Sequence, residues 1–285
     1  MNVFLGVDIG ASRVRAKLVD RQGRCLVSYD HPTDRRTPGN TLGRLQVWVD
    51  DQCRRSEIDS YVSAAGIGVA SPEVGGILGD SSNLPGWRGV NLRRECSGIF
   101  RLETSRVAVR NDAMMAALGE YSLSPRSLVG VTWGTGIGVG RLRKPANGYL
   151  KAPFEHPFEG GHLTLSVKSR VQCGCGAMGH WEALVGGNHL EARFGRPPEE
   201  VEDDVEWMPV LADMAAGLRS LSHVFPGDPI YISGGVMEKQ KARFPVLLEL
   251  FTALDGTVEP PRLALATRGD WAGLDGAVFC ALQLA

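Results

Sequence analysis

Short apolar runs that end in turns of small and polar residues recur along the chain. The first run, Val3 to Val7, leads into Asp8-Ile-Gly-Ala-Ser12, and a strand-like pattern resumes from Val14 to Val19. A polar turn at Arg21 follows that second run. Runs of this length bounded by turn residues predict strands, so the chain is expected to open with a hairpin.

Helical and strand-like patterns alternate over the rest of the chain. Leu45, Val49 and Cys53 share one face of a helix predicted from Leu42 to Ile58. The other predicted elements are strands over Ala64–Val69, Val107–Val109, Leu128–Thr132 and Ile230–Ser233, and a helix over Ala113–Tyr121. Strands that alternate with helices and end in glycine turns predict an α/β fold with ligand sites at the strand ends.

Composition narrows the class of protein. A chain of 285 residues with 43% apolar content can bury a core, in one large domain or two of moderate size. A net charge of −1 gives no electrostatic reason to expect binding to nucleic acid or to an anionic membrane. No leader segment or membrane-spanning run is visible, and six cysteines fit a reducing compartment, so we expect a cytoplasmic protein.

Two cysteines and two histidines form a candidate metal site. Cys173 and Cys175 stand one residue apart, which is poor geometry for a disulfide, and His180 and His162 flank them in a glycine-rich segment. Two thiolates and two imidazoles make a tetrahedral donor set that suits structural zinc. The alternative is a pair of reduced thiols in a glycine-rich loop beside two unrelated histidines.

Three glycine turns suit a nucleoside triphosphate, because phosphate oxygens are met best by backbone N–H groups that small residues leave accessible. Asp8 is expected to hold Mg²⁺ directly or through water, and Gly10 and Ser12 to approach one end of the phosphate chain. Gly134-Thr135-Gly136 would approach the other end, and Gly234-Gly235 would open space beside the nucleoside. Each turn taken alone is also compatible with an ordinary strand end. Neither a Walker A loop nor a dinucleotide fingerprint is present.

The order of the motifs resembles the ROK family. The matching segments are Asp8-Ile-Gly-Ala-Ser-Arg-Val-Arg-Ala-Lys-Leu-Val-Asp20, Asn83-Leu-Pro-Gly-Trp87, Asn111-Asp112-Ala113, Gly134-Thr-Gly-Ile-Gly138, Glu159-Gly-Gly-His162, the Cys173 to Glu182 loop, Ile232-Ser-Gly-Gly-Val236 and Gly273-Leu-Asp-Gly-Ala277. The resemblance implies the actin-like ATPase (ribonuclease H-like) fold, with two α/β domains flanking a cleft that binds ATP. It also implies a homodimer that phosphorylates a hexose on its primary 6-hydroxyl.

On this basis residues 1–111 are expected to form the smaller domain and residues 112–272 the larger one, which carries the zinc loop. A C-terminal helix at about residues 273–285 is expected to pack back on the first domain.

The resemblance also implies roles for individual residues. Asp112 matches the catalytic base, although an aspartate at this position could equally cap the helix that follows. The residues that match sugar-binding positions are Asn83, Asn111, Asp112, Glu159, His162 and Glu182. One imidazole nitrogen of His162 would face the sugar while the other binds zinc, so the metal would orient a sugar-binding residue.

Three positions depart from the family pattern. His180 stands where a third cysteine is usual, Trp133 replaces a smaller aliphatic residue, and Ala70-Ser71-Pro72 replaces the more common Pro-Gly. Glucose is the default substrate, with an amino-hexose such as kanosamine or N-acetylmannosamine as the other candidate. The alternative function is a catalytically weak sugar sensor or regulator. The first predicted strand begins at Val3, so we expect no DNA-reading segment.

Overall fold

The computed structural model describes residues 2–55, 61–81, 83–120, 127–143, 159–254 and 256–284. These residues form two compact units. The described residues up to Gly119 and those from Trp271 onward make the first unit, and those from Glu120 to Asp270 make the second.

A five-stranded sheet organises the first unit. Its strands are β1 (Asn2–Ile9), β2 (Arg13–Val19), β3 (Cys25–Pro32), β4 (Tyr61–Val69) and β7 (Val107–Asn111). Their order is β3-β2-β1-β4-β7, with β1, β4 and β7 parallel and β2 and β3 antiparallel to their neighbours. The remaining elements are the short hairpin β5 (Glu73–Val74) and β6 (Ile77–Leu78) and the helices α1 (Pro38–Arg55), α2 (Leu92–Phe100), α3 (Asp112–Glu120) and α9 (Ala272–Gln283).

Helix α9 lies close to the sheet because glycines on β1 and β4 leave room for its backbone. A Cβ atom on Gly66 would come within 2.1 Å of the Ala277 carbonyl oxygen, and one on Gly6 within 2.5 Å of Val278 Cγ2. The parallel strands β1, β4 and β7 end at a common edge of the sheet. Asp8 near the end of β1 lies against Gly273, so the start of α9 is next to this edge. Ligand sites of open α/β sheets lie at such carboxyl edges.

A four-stranded sheet organises the second unit. Its strands are β8 (Ser127–Trp133), β9 (Ile137–Arg143), β10 (Ile230–Ser233) and β11 (Leu263–Leu265), in the order β11-β10-β8-β9. The helices are α4 (Trp181–Val185), α5 (Gly187–Phe194), α6 (Asp204–Val224), α7 (Gly235–Lys239) and α8 (Phe244–Ala253). Three fully buried tryptophans, Trp133, Trp181 and Trp207, dominate the core of this unit.

The predicted α/β fold is confirmed, with changes at the element ends. Helix α1 begins at Pro38, four residues before the predicted start, and the predicted helix ends at Ile58 and Tyr121 lie outside the described residues. Asp8 was assigned to the turn after the first strand but lies within β1, so the turn is shorter than predicted. Among the described residues, no helix is both long and apolar enough to cross a bilayer.

Candidate active site

The four predicted metal ligands come together in the second unit. One donor atom from each of His162, Cys173, Cys175 and His180 lies within 4.8 Å of all the others. Cys175 Sγ is 3.3 Å from His180 Nδ1, and the rings of His162 and His180 stack with their centroids 5.2 Å apart. In a tetrahedral zinc site with the usual bond lengths, neighbouring donors are about 3.4–3.8 Å apart, so small movements would complete the geometry.

Glycines shape the loop that carries three of these ligands. Gly176 and Gly179 have φ angles of +94° and +71°, which side chains other than glycine rarely adopt. A Cβ atom on Gly179 would also come within 1.9 Å of the Ser166 carbonyl oxygen. Together with the 2.8 Å hydrogen bond that the Cys173 N–H donates to the Ala177 carbonyl, this close approach folds the loop so that its thiols and imidazole face His162.

Burial shifts the pKa values of two of the four candidate ligands. Burial raises the pKa of the Cys173 thiol to about 11, so the thiol is protonated at neutral pH when no cation is near. The pKa of His180 is lowered, first by burial and then by the neighbouring His162, so its imidazole is neutral and able to ligate. Since zinc takes the thiolate and the neutral imidazole, metal binding should release protons from this site.

Glu182 joins the metal cluster to the first glycine turn of the second unit. Its Oε1 is 3.9 Å from His162 Nε2 and 3.8 Å from Cys173 Sγ. Its Oε2 accepts a hydrogen bond of 2.9 Å from the backbone N–H of Ile137, the first residue of β9. A Cβ atom on Gly136 would lie only 2.2 Å from that oxygen, so glycine at this position leaves room for the carboxylate.

The predicted nucleotide turns of the second unit adjoin one another. Strands β8 and β10 are parallel neighbours that end at the Gly134 and Gly234 turns, and Gly235 N is 3.8 Å from where a Cβ on Gly134 would lie. Thr135 is exposed at the tip of the first turn. Gly234 has a φ of +102° and packs against the backbone of Trp133, so no larger residue fits there.

Gly187 and Asn188 hold the Gly134 turn in place, and neither residue was predicted from the sequence. The N–H groups of Gly187 and Asn188 donate to the carbonyls of Gly134 and Thr135 at 2.8 and 3.1 Å, which fixes the turn from the start of α5. The pair Gly186-Gly187 directly after a helical stretch was the available signal. Trp133, which stands where the family usually has a smaller aliphatic residue, packs edge-on to Trp207. Its Nε1 donates to the Val185 carbonyl at 2.7 Å, so packing in the core explains the tryptophan at this position.

In the first unit, Asp8 lies at the predicted carboxyl edge. Its carboxylate lies against the start of α9, with its atoms 3.3 Å from where a Cβ on Gly273 would lie. The N–H of Gly10 donates to the Arg13 carbonyl at 2.9 Å, and the Ser12 carbonyl accepts from Thr33 at 3.0 Å, so both residues help to close the β1–β2 turn.

Asn111 and Asp112 lie at the same edge, at the point where β7 ends and α3 begins. The Ala113 N–H donates to Asn111 Oδ1 at 2.9 Å and to Asp112 Oδ1 at 2.8 Å. Both side chains therefore take part in capping, and Asp112 is half-buried at the first position of its helix. Asn111 Nδ2 also donates to the Ser71 carbonyl at 3.5 Å. Asn111 therefore contacts the Ala70-Ser71-Pro72 segment, which differs from the usual Pro-Gly of the family.

Asn83 and Glu159 are held by different means. The Asn83 carbonyl accepts 2.7 Å from Arg35 Nε, and its N–H donates 3.2 Å to Ser81 Oγ, so backbone bonds fix the loop that carries it. Glu159 precedes the short helical turn of His162 and accepts the His162 N–H on its carbonyl at 3.0 Å. Desolvation by surrounding groups raises the pKa of the Glu159 carboxyl, an effect that His162 opposes and Glu182 reinforces.

Solved structures place this fold in a known class. A ROK hexokinase from Thermus thermophilus superposes with a TM-score of 0.75 at 25% identity, covering 97% of this chain and 96% of that one. A ROK family glucokinase from Streptomyces griseus, solved in complex with glucose and AMPPNP, superposes with a TM-score of 0.72 at 25% identity over 99% of both chains. The protein thus has the actin-like ATPase fold of sugar kinases.

The family follows from the sequence match. The ROK family model matches residues 4–284, so the chain belongs to the ROK family, and it is a sugar kinase of that family. A glucokinase from Pyrobaculum calidifontis is 27% identical over 259 residues, covering 83% of this chain and 80% of that protein. An N-acetyl-D-glucosamine kinase from Yersinia pseudotuberculosis is 24% identical over 312 residues, covering 97% of this chain and 98% of that protein.

Proposed function

We propose that the protein transfers the γ-phosphoryl group of ATP to the 6-hydroxyl of a hexose, with glucose as the first candidate. The observation that carries this proposal is the position of Glu182. Its carboxylate lies beside the metal cluster and is bonded to the first residue after the Gly134 turn. One side chain thus joins the residues proposed to bind sugar to those proposed to bind nucleotide.

Asp112 is the proposed general base. The 6-hydroxyl oxygen forms a bond to the γ-phosphorus while the bond from that phosphorus to the bridging oxygen breaks, and ADP leaves. The hydroxyl proton passes to the Asp112 carboxylate, a contribution typically worth about 10²–10⁴-fold in rate. Mg²⁺ bound with ATP would neutralise charge on the phosphates, and Asp8 is the residue proposed to hold it directly or through water.

The metal cluster fits a structural zinc ion. Two thiols and two imidazoles already lie within 4.8 Å of one another, and zinc accepts this donor set. When bound, zinc would fix the direction of the His162 ring. His162, Glu159 and Glu182 in the second unit, with Asn83, Asn111 and Asp112 in the first, are the residues proposed to hydrogen-bond the sugar hydroxyls.

Two substrate classes remain in the proposal. Glucose is favoured because several relatives are glucokinases, including the Pyrobaculum protein. An amino-hexose such as kanosamine or N-acetylmannosamine is the second candidate, and the Yersinia relative acts on an amino sugar by its name. His180 and Ala70-Ser71-Pro72, which differ from the family pattern, are proposed to lie near the sugar-binding residues.

The protein is also proposed to be a homodimer. Light scattering on the purified protein tests this oligomeric state.

The test of function is an ADP-release assay over a panel of hexoses and amino-hexoses, with ³¹P and ¹³C NMR on the product. We expect turnover with at least one sugar and phosphate on its 6-hydroxyl. Sugar-dependent thermal stabilisation without turnover on any sugar would instead identify a sensor. Metal analysis of the same preparation should give about one zinc per chain, as a single tetrahedral site requires.

A further inference from the structure

A row of charged residues crosses the five-stranded sheet of the first unit. Asp8 on β1 pairs directly with Arg15 on β2, and Arg15 pairs with Asp30 on β3. On the other side Asp8 pairs with Gly68, which pairs with Arg110 on β7. Residues paired directly across neighbouring strands point to the same face of a sheet, so the Asp8 carboxylate has an arginine on each side along the row.

The guanidinium of Arg15 is held by an aromatic ring and a carboxylate. Its Cζ lies 5.2 Å from the centroid of the Trp271 indole, and its Nε is 3.9 Å from Asp30 Oδ2. Asp30 also makes a shorter contact, 2.6 Å, with Arg13 Nε. Stacking on an indole face orders a guanidinium while its N–H edges stay directed outward from the ring.

The segment that begins at Trp271 contacts both Arg15 and Asp8. It directly precedes α9, and two residues later Gly273 comes into contact with the Asp8 carboxylate, 3.3 Å from where its Cβ would lie. The Arg15 guanidinium and the Asp8 carboxylate are thus both placed by the first residues of one helix. The tryptophan is 46% exposed, which leaves this end of the helix accessible to a ligand.

We propose that Arg15 is a phosphate-binding residue of the nucleotide site and that Trp271 is the residue that positions it. This inference rests on the proposed function, in which Asp8 holds the magnesium ion of the nucleotide. Magnesium held at Asp8 would neutralise charge on the phosphates, so a guanidinium beside Asp8 would meet the phosphates and not the nucleoside. A guanidinium is well suited to this task because its planar fork matches phosphate oxygens and its charge is permanent.

A purely structural role for Arg15 would give different results. If Arg15 served only to balance the charge of Asp8, its loss would weaken ADP binding only through the magnesium ion that Asp8 is proposed to hold. A phosphate-binding residue instead affects ADP with or without the metal and leaves AMP unaffected. The comparison of MgADP, metal-free ADP and AMP therefore separates the two roles.

The experiment is calorimetric titration of the full-length protein with MgADP, with ADP in the absence of divalent metal and with AMP, for the wild type, Arg15→Gln and Arg15→Lys. Loss of one charge-assisted hydrogen bond should weaken MgADP binding about 10- to 100-fold in Arg15→Gln, with AMP affinity and the sugar KM unchanged. Arg15→Lys should recover part of the loss, because it keeps the charge without the planar fork.

Unchanged MgADP affinity in Arg15→Gln, equal losses for ADP and AMP, or a loss for MgADP with none for metal-free ADP would overturn the assignment. A wild-type protein that binds no nucleotide would overturn the proposed function itself and this assignment with it. The two failures are therefore distinguishable from the wild-type titration alone.

Lys17 provides a matched control. It lies on the same strand two residues away and over the same indole, at 4.9 Å, but pairs across the sheet with Gly6 and forms a 2.9 Å ion pair with Asp275. Lys17→Gln should change MgADP affinity less than about fivefold, as for a single solvent-accessible charge.

Trp271→Leu should raise the KM for ATP while the KM for sugar stays constant, and Trp271→Phe should restore much of the loss, because phenylalanine keeps an aromatic face. An unchanged ATP KM in Trp271→Leu would remove the positioning role.

Discussion

The two units hold their proposed functional carboxylates by different means. In the first unit Asp8 and Asp112 lie at the ends of paired strands, where sheet register and the starts of α9 and α3 place them. In the second unit Glu182 lies on a five-residue helix behind an irregular loop and is held by one backbone N–H beside the metal cluster. Regular structure positions the groups proposed for phosphate and proton chemistry, whereas the loop with the candidate metal ligands positions Glu182, one of the residues proposed to select the sugar.

The largest expected effect is on the proposed base. Asp112→Asn would remove the proposed proton acceptor but would keep an oxygen that can cap α3, so turnover should fall by about 10²–10⁴-fold while sugar still stabilises the fold. Steady-state kinetics and thermal shift with sugar measure the two effects. Asp204→Asn is the matched control, because Asp204 also begins a helix but is exposed and paired with Arg243. Near-normal turnover in Asp112→Asn would remove the assignment.

Glu182→Gln tests the other region. Glutamine can still accept the Ile137 N–H, but it loses the charge that strengthens a hydrogen bond to a sugar hydroxyl. The KM for sugar should rise about 10- to 100-fold and that for ATP should stay within a few fold, as measured by initial rates with each substrate varied. Parallel increases in both KM values would mean that Glu182 supports the fold of the unit and not the sugar.

Gly136→Ala tests the contact between the turn and the carboxylate. The added Cβ would lie 2.2 Å from Glu182 Oε2, which is bonded to Ile137 and cannot move without losing that bond. Overpacking of this kind costs about 1–3 kcal/mol in the free energy of unfolding. Denaturant unfolding measures it, with Gly134→Ala as the comparison, since a Cβ there has its nearest contact at 3.8 Å. Equal stability of the two variants would contradict the close approach.

The smallest effect concerns Asp34, whose carboxylate accepts hydrogen bonds in the turn before α1 and whose carbonyl accepts from Trp87 Nε1 at 2.9 Å. Hydrogen bonds from the Asn40 side chain and from the N–H groups of Thr37 and Arg36 lower the pKa of the Asp34 carboxyl below its usual 3.8. Because the folded pKa is depressed, its stabilising contribution is present above pH 3.8 and is lost as pH falls through the lower folded value.

Acid unfolding of the wild type and Asp34→Asn measures this contribution. The stability difference between the two proteins should be constant above pH 3.8 and should shrink as the pH falls below that value. A difference that does not depend on pH would show that the charge of Asp34 is not involved.

The sequence indicated parts of both regions, for separate reasons. The four metal donors were predicted because their types and spacing carry the chemistry directly, and their donor atoms do converge. The bond between Glu182 and Ile137 was not predicted, since 45 residues separate the partners and no local pattern reports such a contact. The α/β alternation was readable because buried strands such as β4 are nearly continuous apolar runs.

Two of the elements that were not predicted, β3 and α6, have weak patterns. Strand β3 has polar and half-buried residues along its length and ends at Pro32, so it lacks the apolar alternation that marks a strand. Helix α6 contains Pro209 and follows an acidic stretch that reads as a loop, although Asp203 accepts the Val205 N–H and caps it. In both elements, tertiary packing stabilises a secondary structure that the local sequence pattern does not indicate.

The most direct test is to restore zinc to metal-stripped protein and to measure the KM for sugar and the KM for ATP before and after. If the metal orients His162 toward the sugar, zinc should lower the sugar KM by about 10- to 100-fold and leave the ATP KM nearly constant. Equal changes in both values, or none in either, would contradict the claim that the metal loop positions the sugar-binding residues.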